Sequence, residues 1–118
     1  MSQWIDVCDV EDLVSNSGVC ALVEGKQVAL FSHSLQQGSL EKADVFATSN
    51  YDPIGKANVL YRGILGSVSD QLVVASPLYK QRYNLDSGVC LDDESVKIDV
   101  YDAKIVAGRV HINMATKH

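Results

Sequence analysis

The sequence predicts an all-β fold, a small sandwich or barrel built as one domain, and three observations carry that prediction. Short β-rich runs recur at close intervals with turn residues between them, rather than strands alternating with helices. Val96, Ile98 and Val100 alternate with Lys97, Asp99 and Tyr101, the period of a strand buried on one face. The chain has 118 residues and 47% apolar content, which suits one domain with one core.

The elements follow in order. Trp4 to Cys8 reads as a first strand, and Asp9 followed by Asp12 can cap a single helical turn before Leu13. Val19 to Val23 and Gln27 to Phe31 flank Glu24-Gly25-Lys26, where glycine supplies the positive φ of a tight hairpin turn. Residues 32–44 are polar, without an apolar period, and read as a surface loop. Val45 to Ser49 and Gln71 to Ala75 are strands that each run straight into a proline loop. Arg82 to Leu85 and Val89 to Leu91 bracket the turn Asp86-Ser87-Gly88. The alternating strand comes next, then a closing hairpin, Ala103 to Val106 and Arg109 to Ile112, turning at Ala107-Gly108. The domain is expected over 1–112, with 113–118 a polar C-terminal tail.

Charge and cysteine usage exclude several classes. Ten Lys and Arg against fifteen Asp and Glu leave a net charge of −5, the wrong sign for neutralising nucleic-acid phosphates or anionic membranes. The longest unbroken apolar run, Val19 to Val23, is far short of the ~20 residues that span a bilayer. The start of the chain lacks a basic n-region and an apolar h-region, so a cytoplasmic protein is expected. Cys8, Cys20 and Cys90 are odd in number and have no C-x-x-C spacing, which argues for buried free thiols over a disulfide framework or a zinc site.

Candidate chemistry narrows to the two proline loops. They read Ser49-Asn50-Tyr51-Asp52-Pro53-Ile54 and Ala75-Ser76-Pro77-Leu78-Tyr79-Lys80-Gln81-Arg82-Tyr83. Asp52 and Ser76 can bond each other across the pair, but one carboxylate and one hydroxyl make a poor metal site. Ser76 lacks the flanking glycines and nearby histidine of a hydrolase nucleophile. Asp92-Asp93-Glu94 reads as a solvated turn, and His111, between Val110 and Ile112, as an outward side chain.

Together the two loops resemble the cluster-binding loops of Rieske iron-sulfur domains, and the segment from Val96 through Ile112 resembles that family's last three strands. In that family two thiolates and two imidazoles clasp a two-iron cluster. Matched position by position, the ligand sites here hold Asp52 and Ile54 in the first loop and Ser76 and Tyr79 in the second, none of them a cluster ligand. The order and spacing of Trp4-Ile5-Asp6-Val7-Cys8, Gly18-Val19-Cys20-Ala21-Leu22, Leu60-Tyr61-Arg62-Gly63-Ile64 and the two proline loops is similar to the small subunits of cytoplasmic NAD(P)H-dependent nitrite reductases.

The resemblance implies an all-β, Rieske-like domain without a cluster, and an accessory chain that is not itself catalytic. FAD, an iron-sulfur cluster and siroheme would all reside in a large partner subunit that reduces nitrite to ammonium. Tyr51, Asp52, Ile54, Ser76, Leu78 and Tyr79, at the former ligand loops, are then the expected partner interface, or else they plug the end of the domain. Arg62, Lys80 and Arg82 place positive charge near that end and are available to pair with a partner's carboxylates. Two rival readings stand beside this one: an adaptor for another oxidoreductase, and an electron carrier with unexpected ligands.

Overall fold

The computed structural model describes residues 4–14, 17–33, 44–69, 71–78 and 80–116. Its strands, in chain order, are β1 (Trp4–Asp9), β2 (Ser17–Val23), β3 (Lys26–His33), β4 (Asp44–Ser49), β5 (Tyr51–Asp52), β6 (Ala57–Asn58), β7 (Ile64–Val68), β8 (Gln71–Ala75), β9 (Arg82–Asn84), β10 (Val89–Cys90), β11 (Asp93–Lys97), β12 (Val100–Val106) and β13 (Arg109–Thr116). They form a six-stranded sheet in the order β1-β13-β12-β4-β3-β2, a five-stranded sheet in the order β11-β10-β9-β8-β7, and the small β5-β6 pair.

Turn chemistry sets the hairpins of the larger sheet. Glu24 and Gly25 both take left-handed backbone, φ 50° and 80°, as do Ala107 and Gly108 at 51° and 77°. Two successive positive φ values give a two-residue loop whose twist matches the strands it joins. Lys26, expected in the first turn, is therefore already in β3, opposite Val23. The turn after β1 is a 3-10 turn, Val10–Asp12, closed by a reciprocal capping box between Asp9 and Asp12.

The alternating segment departs from expectation. Val96, Ile98 and Val100 do not share one strand: β11 ends at Lys97, and β12 begins at Val100 in the other sheet. At the break the Ile98 N–H donates to Gly88 O and the Ser49 N–H donates to Asp99 O, so these two residues stitch the sheets together. Ile98 and Val100 are buried and Val96 is half-buried, which is what their alternation reports; it does not report which sheet receives them.

Three further differences have plain causes. β13 continues past Ile112 to Thr116 because Asn113 and Thr116 pair through backbone with β12, so the strand takes up most of the segment expected as a tail. Asp93 and Glu94 open β11 rather than sitting in a turn, although both stay exposed. Among the thiols Cys90 is buried, Cys8 half-buried and Cys20 exposed, so only one matches the buried expectation in full. Of the loop expected at 32–44, positions 34–43 lie outside the described residues, and β3 and β4 extend to its two ends.

Two apolar clusters form the interior, one around Leu30, Val110 and Ile112 and one around Phe31, Leu60, Val74 and Tyr83. β12 relates the two ends of the molecule. It starts beside Thr48, next to the first proline loop, and ends at the Ala107-Gly108 turn, where the Val10 N–H donates to Gly108 O. Six strand steps separate those ends by about 20 Å. The proline loops thus share one end of the fold, and the first 3-10 turn marks the other.

Candidate functional site: two proline loops locked by a buried carboxylate

The two loops are built alike. Asp52-Pro53-Ile54-Gly55-Lys56 closes with the Lys56 N–H donating to Asp52 O at 2.7 Å, and Ser76-Pro77-Leu78-Tyr79-Lys80 closes with the Lys80 N–H donating to Ser76 O at 3.0 Å. Both lysines take left-handed backbone, φ 57° and 61°, which turns each chain back after five residues. Among the described residues the turns present exposed Ile54 and Lys56 in the first and exposed Pro77, Leu78 and Lys80 in the second. They touch at Gly55, where any Cβ would meet Leu78 Cδ1 at 2.5 Å and Asp52 Oδ2 at 2.8 Å.

Between the turns lies Asp52, a carboxylate with no exposed surface. Its Oδ2 accepts from Ser76 Oγ at 2.5 Å and from Gln81 Nε2 at 3.0 Å. Its Oδ1 accepts from Tyr83 OH at 2.8 Å, Gln81 Nε2 at 2.9 Å and the Ile54 N–H at 3.0 Å. A buried charge is tolerated only when hydrogen bonds replace its hydration, and here donors from both loops and from β9 surround it. Burial pushes the Asp52 carboxyl up. Bonds from Ser76, the Gly55 backbone, Tyr83 and the Ile54 backbone outweigh that, and the group sits below its ordinary value. Burial holds the Tyr83 phenol well above its ordinary value, against a bond with Gln81 and helped by the Asp52 charge, so its hydroxyl remains a donor.

A second buried side chain anchors the first loop to the sheet. Asn50 Nδ2 donates to Gln27 Oε1 at 3.0 Å and to Asn58 O at 3.1 Å, while its Oδ1 accepts the Tyr61 N–H at 2.8 Å. Loop, β3 and the 3-10 turn Leu60–Arg62 thus meet at one amide.

Measured against the expected interface, Tyr51, Ile54 and Leu78 are exposed at the tip. Asp52 and Ser76 are fully buried and bonded to each other, so they shape the tip from inside and are not surface contacts. Tyr79 lies outside the described residues. Arg82, expected as a cation available to a partner, is taken by Asp92 of its own chain at 2.9 Å. Gln81, Tyr83 and Asn50 were not expected at the site; an Asp between Tyr51 and Pro53 gives no local sign of partners 24 to 31 residues away. Among the described residues, no group of three or more His, Cys, Asp or Glu is placed to hold a metal ion. Nor, among them, is any helix long and apolar enough to cross a membrane.

Two packed antiparallel sheets, with paired proline loops at one end, define a Rieske-type β domain. A family model for the Rieske-like [2Fe-2S] domain matches residues 3–113. The NADH nitrite reductase small subunit of Salmonella typhimurium is 44% identical over 114 residues, covering 95% of this chain and 98% of that one. The NMR structure of the Escherichia coli protein NirD matches with a TM-score of 0.83 at 39% identity, covering 98% of this chain and 99% of that one. A stretch of the Klebsiella oxytoca nitrite reductase [NAD(P)H] large subunit, 11% of its length, is 33% identical to this chain over 109 residues. The chain belongs to the Rieske-like domain family and, within it, to the small subunits of NADH nitrite reductase, an oxidoreductase. The donor set does not fit the cluster that the family description names: Asp52 and Ser76, which the sequence resemblance matches to the thiolate positions, carry no sulfur and are bonded to each other.

Proposed function

We propose that this chain is the accessory, non-catalytic small subunit of a cytoplasmic nitrite reductase and that it holds no cluster of its own. It docks by its two-loop tip on a large subunit that carries the FAD, iron-sulfur cluster and siroheme for reducing nitrite to ammonium. The observation that carries this reading is the Asp52 clamp. A carboxylate whose oxygens accept from Ser76, Gln81, Tyr83 and Ile54 has its acceptor capacity spent inside the fold. What remains at the surface of the tip is apolar and cationic, suited to contact rather than electron transfer. The stretch within the Klebsiella oxytoca large subunit supports the choice of partner, because one chain there holds both parts at high effective concentration.

Two measurements test the reading. The purified chain should be colourless and free of iron and acid-labile sulfide; stoichiometric iron with a visible charge-transfer spectrum would favour an electron carrier instead. Tyr51→Ala and Ile54→Ala should each weaken binding to the large subunit while leaving the melting temperature in place. Lost stability with unchanged affinity would make these side chains a plug for the end of the fold.

A further inference from the structure

Seven large apolar side chains stand exposed among the described residues, and they are not spread evenly. Resting on the docking reading above, we infer that Leu22 and Ile64, the two most exposed at 74% and 76%, join the tip in one docking surface, whose occupant is an apolar patch of the large subunit set among carboxylates.

Strand register places both residues at the loop end. Leu22 on β2 lies opposite Gln27, whose carbonyl accepts the Asn50 N–H, so it is two strand spacings from the root of the first loop. Ile64 opens β7 opposite Ala75, the residue before Ser76, at the root of the second loop. With Tyr51, Ile54 and Leu78, this end holds five of the seven. The other two, Val14 and Val106, lie by the first 3-10 turn and the Ala107-Gly108 turn, at the far end.

β2 and β7 are each the outermost strand of their sheet. Edge strands left to water usually carry charge or proline, because a bare apolar edge invites association. Two such positions, on different sheets but at the same end, are accounted for by one covering partner.

Charge indicates the chemistry of the patch that covers them. In a chain of net −5, Lys26, Lys56, Arg62 and Lys80 stand at the loop end beside the exposed Glu24 and Asp99, while Asp92 is held by Arg82, and Asp93 and Glu94 open β11, at the opposite edge of its sheet from β7. None of the ion pairs among the described residues uses Lys56, Arg62 or Lys80. At the opposite end four exposed acids, Asp6, Asp9, Glu11 and Asp12, outnumber the cations Arg109, paired with Asp6 and Asp9, and Lys104, set over the Trp4 ring. A partner with carboxylates round its apolar centre meets Lys56, Arg62 and Lys80 beside the tip and is repelled by the acidic far end, which orients the encounter.

The test measures affinity of the full chain for the purified large subunit. Leu22→Thr and Ile64→Thr keep strand propensity at exposed positions, so both variants should melt with the wild type. Each should bind about tenfold or more weakly, and Val106→Thr, at the far end, should bind as wild type. Raising salt from about 0.05 M to about 0.5 M should slow association several-fold. If a threonine variant melts low, alanine at the same position is read in its place. Wild-type affinity in both Leu22 and Ile64 variants, with Tyr51→Ala still impaired, would overturn the wider surface and leave the tip reading standing. Failure of the wild-type chain to bind the large subunit would overturn the docking reading itself. A homodimer of the isolated chain dissolved by Ile64→Thr would make a second copy the occupant and overturn the inference, and salt-independent association would overturn the acidic character of the patch.

Discussion

Replacing Asp52 by Asn isolates the charge of the clamp from its shape. The carboxylate has three side-chain donors, Ser76, Gln81 and Tyr83, besides the Ile54 amide. Hydrogen bonds to a charged group are worth about 1.5–3 kcal/mol each, about twice a neutral one. Asn keeps one acceptor oxygen and points an NH2 group into a ring of donors. Ser76 and Tyr83 can rotate their hydroxyls to accept, whereas the Gln81 amide must turn over. Removing the charge also removes the cost of burying it, so the net loss should be about 2 kcal/mol for Asn and about 4 kcal/mol for Ala, which strands every donor. For a domain of this size ~2 kcal/mol lowers Tm by roughly 6–12 °C. The pH dependence fixes the cause. The folded-state pKa of Asp52 is lowered, so its stabilisation is complete above the unfolded value near 3.8 and is lost as pH falls through the folded value. Thermal melts of wild type and Asp52→Asn should therefore differ by a constant amount at neutral pH and converge as the medium becomes acidic below 3.8. Equal melting temperatures at pH 7, or a gap that persists undiminished into strong acid, would refute the clamp.

Two glycines with the same backbone should respond differently to alanine. Gly88, at φ +81°, faces Ile98 O, which a Cβ would approach to 2.1 Å, whereas Gly25, at φ +80°, faces open space. Gly25→Ala should cost about the 1–2 kcal/mol of left-handed backbone, and Gly88→Ala at least ~3 kcal/mol, since the Cβ would push away the Ile98 backbone whose N–H donates to Gly88 O; chemical denaturation compares them, and equal losses would refute the packing argument. All three cysteines are free thiols, so strong reductant should leave the melting curve unchanged, and a fall would reveal a disulfide.

How legible the fold was depends on whether the signal was local. Glu24-Gly25 and Ala107-Gly108 announce hairpins because positive φ is a property of one or two residues, and the strands beside them follow. β7 was missed because Gly66 and Ser67 interrupt its apolar pattern and Ile64 is exposed, so the half-buried Leu65 and Val68 form no period that reports burial. The end of β13 reads as a tail because Met114 and Ala115 are a short apolar pair between polar Asn113 and Thr116 with no alternating period, yet backbone pairing with β12 needs none, and Met114 packs against the core. At the site, the loop pair and its exposed tip were legible, since proline and turn residues mark loops wherever they occur. The burial of Asp52 was not: it depends on Ser76, Gln81 and Tyr83 arriving from a different hairpin, and an isolated Asp-Pro reads equally well as a solvated turn.

The clamp also bears on how the chain matures. The bonds described between the two turns are all made by atoms of the polypeptide itself, so the pairing of β8 and β9 brings Ser76, Gln81 and Tyr83 against Asp52. A site closed by a metal must wait for loading, and its folding yield follows the supply of that metal. On the cluster-free reading proposed above, this tip needs no such loading. If that proposal holds, its assembly should run equally well in a cell starved of iron, leaving a fully shaped chain in reserve for whatever fraction of the proposed partner is complete.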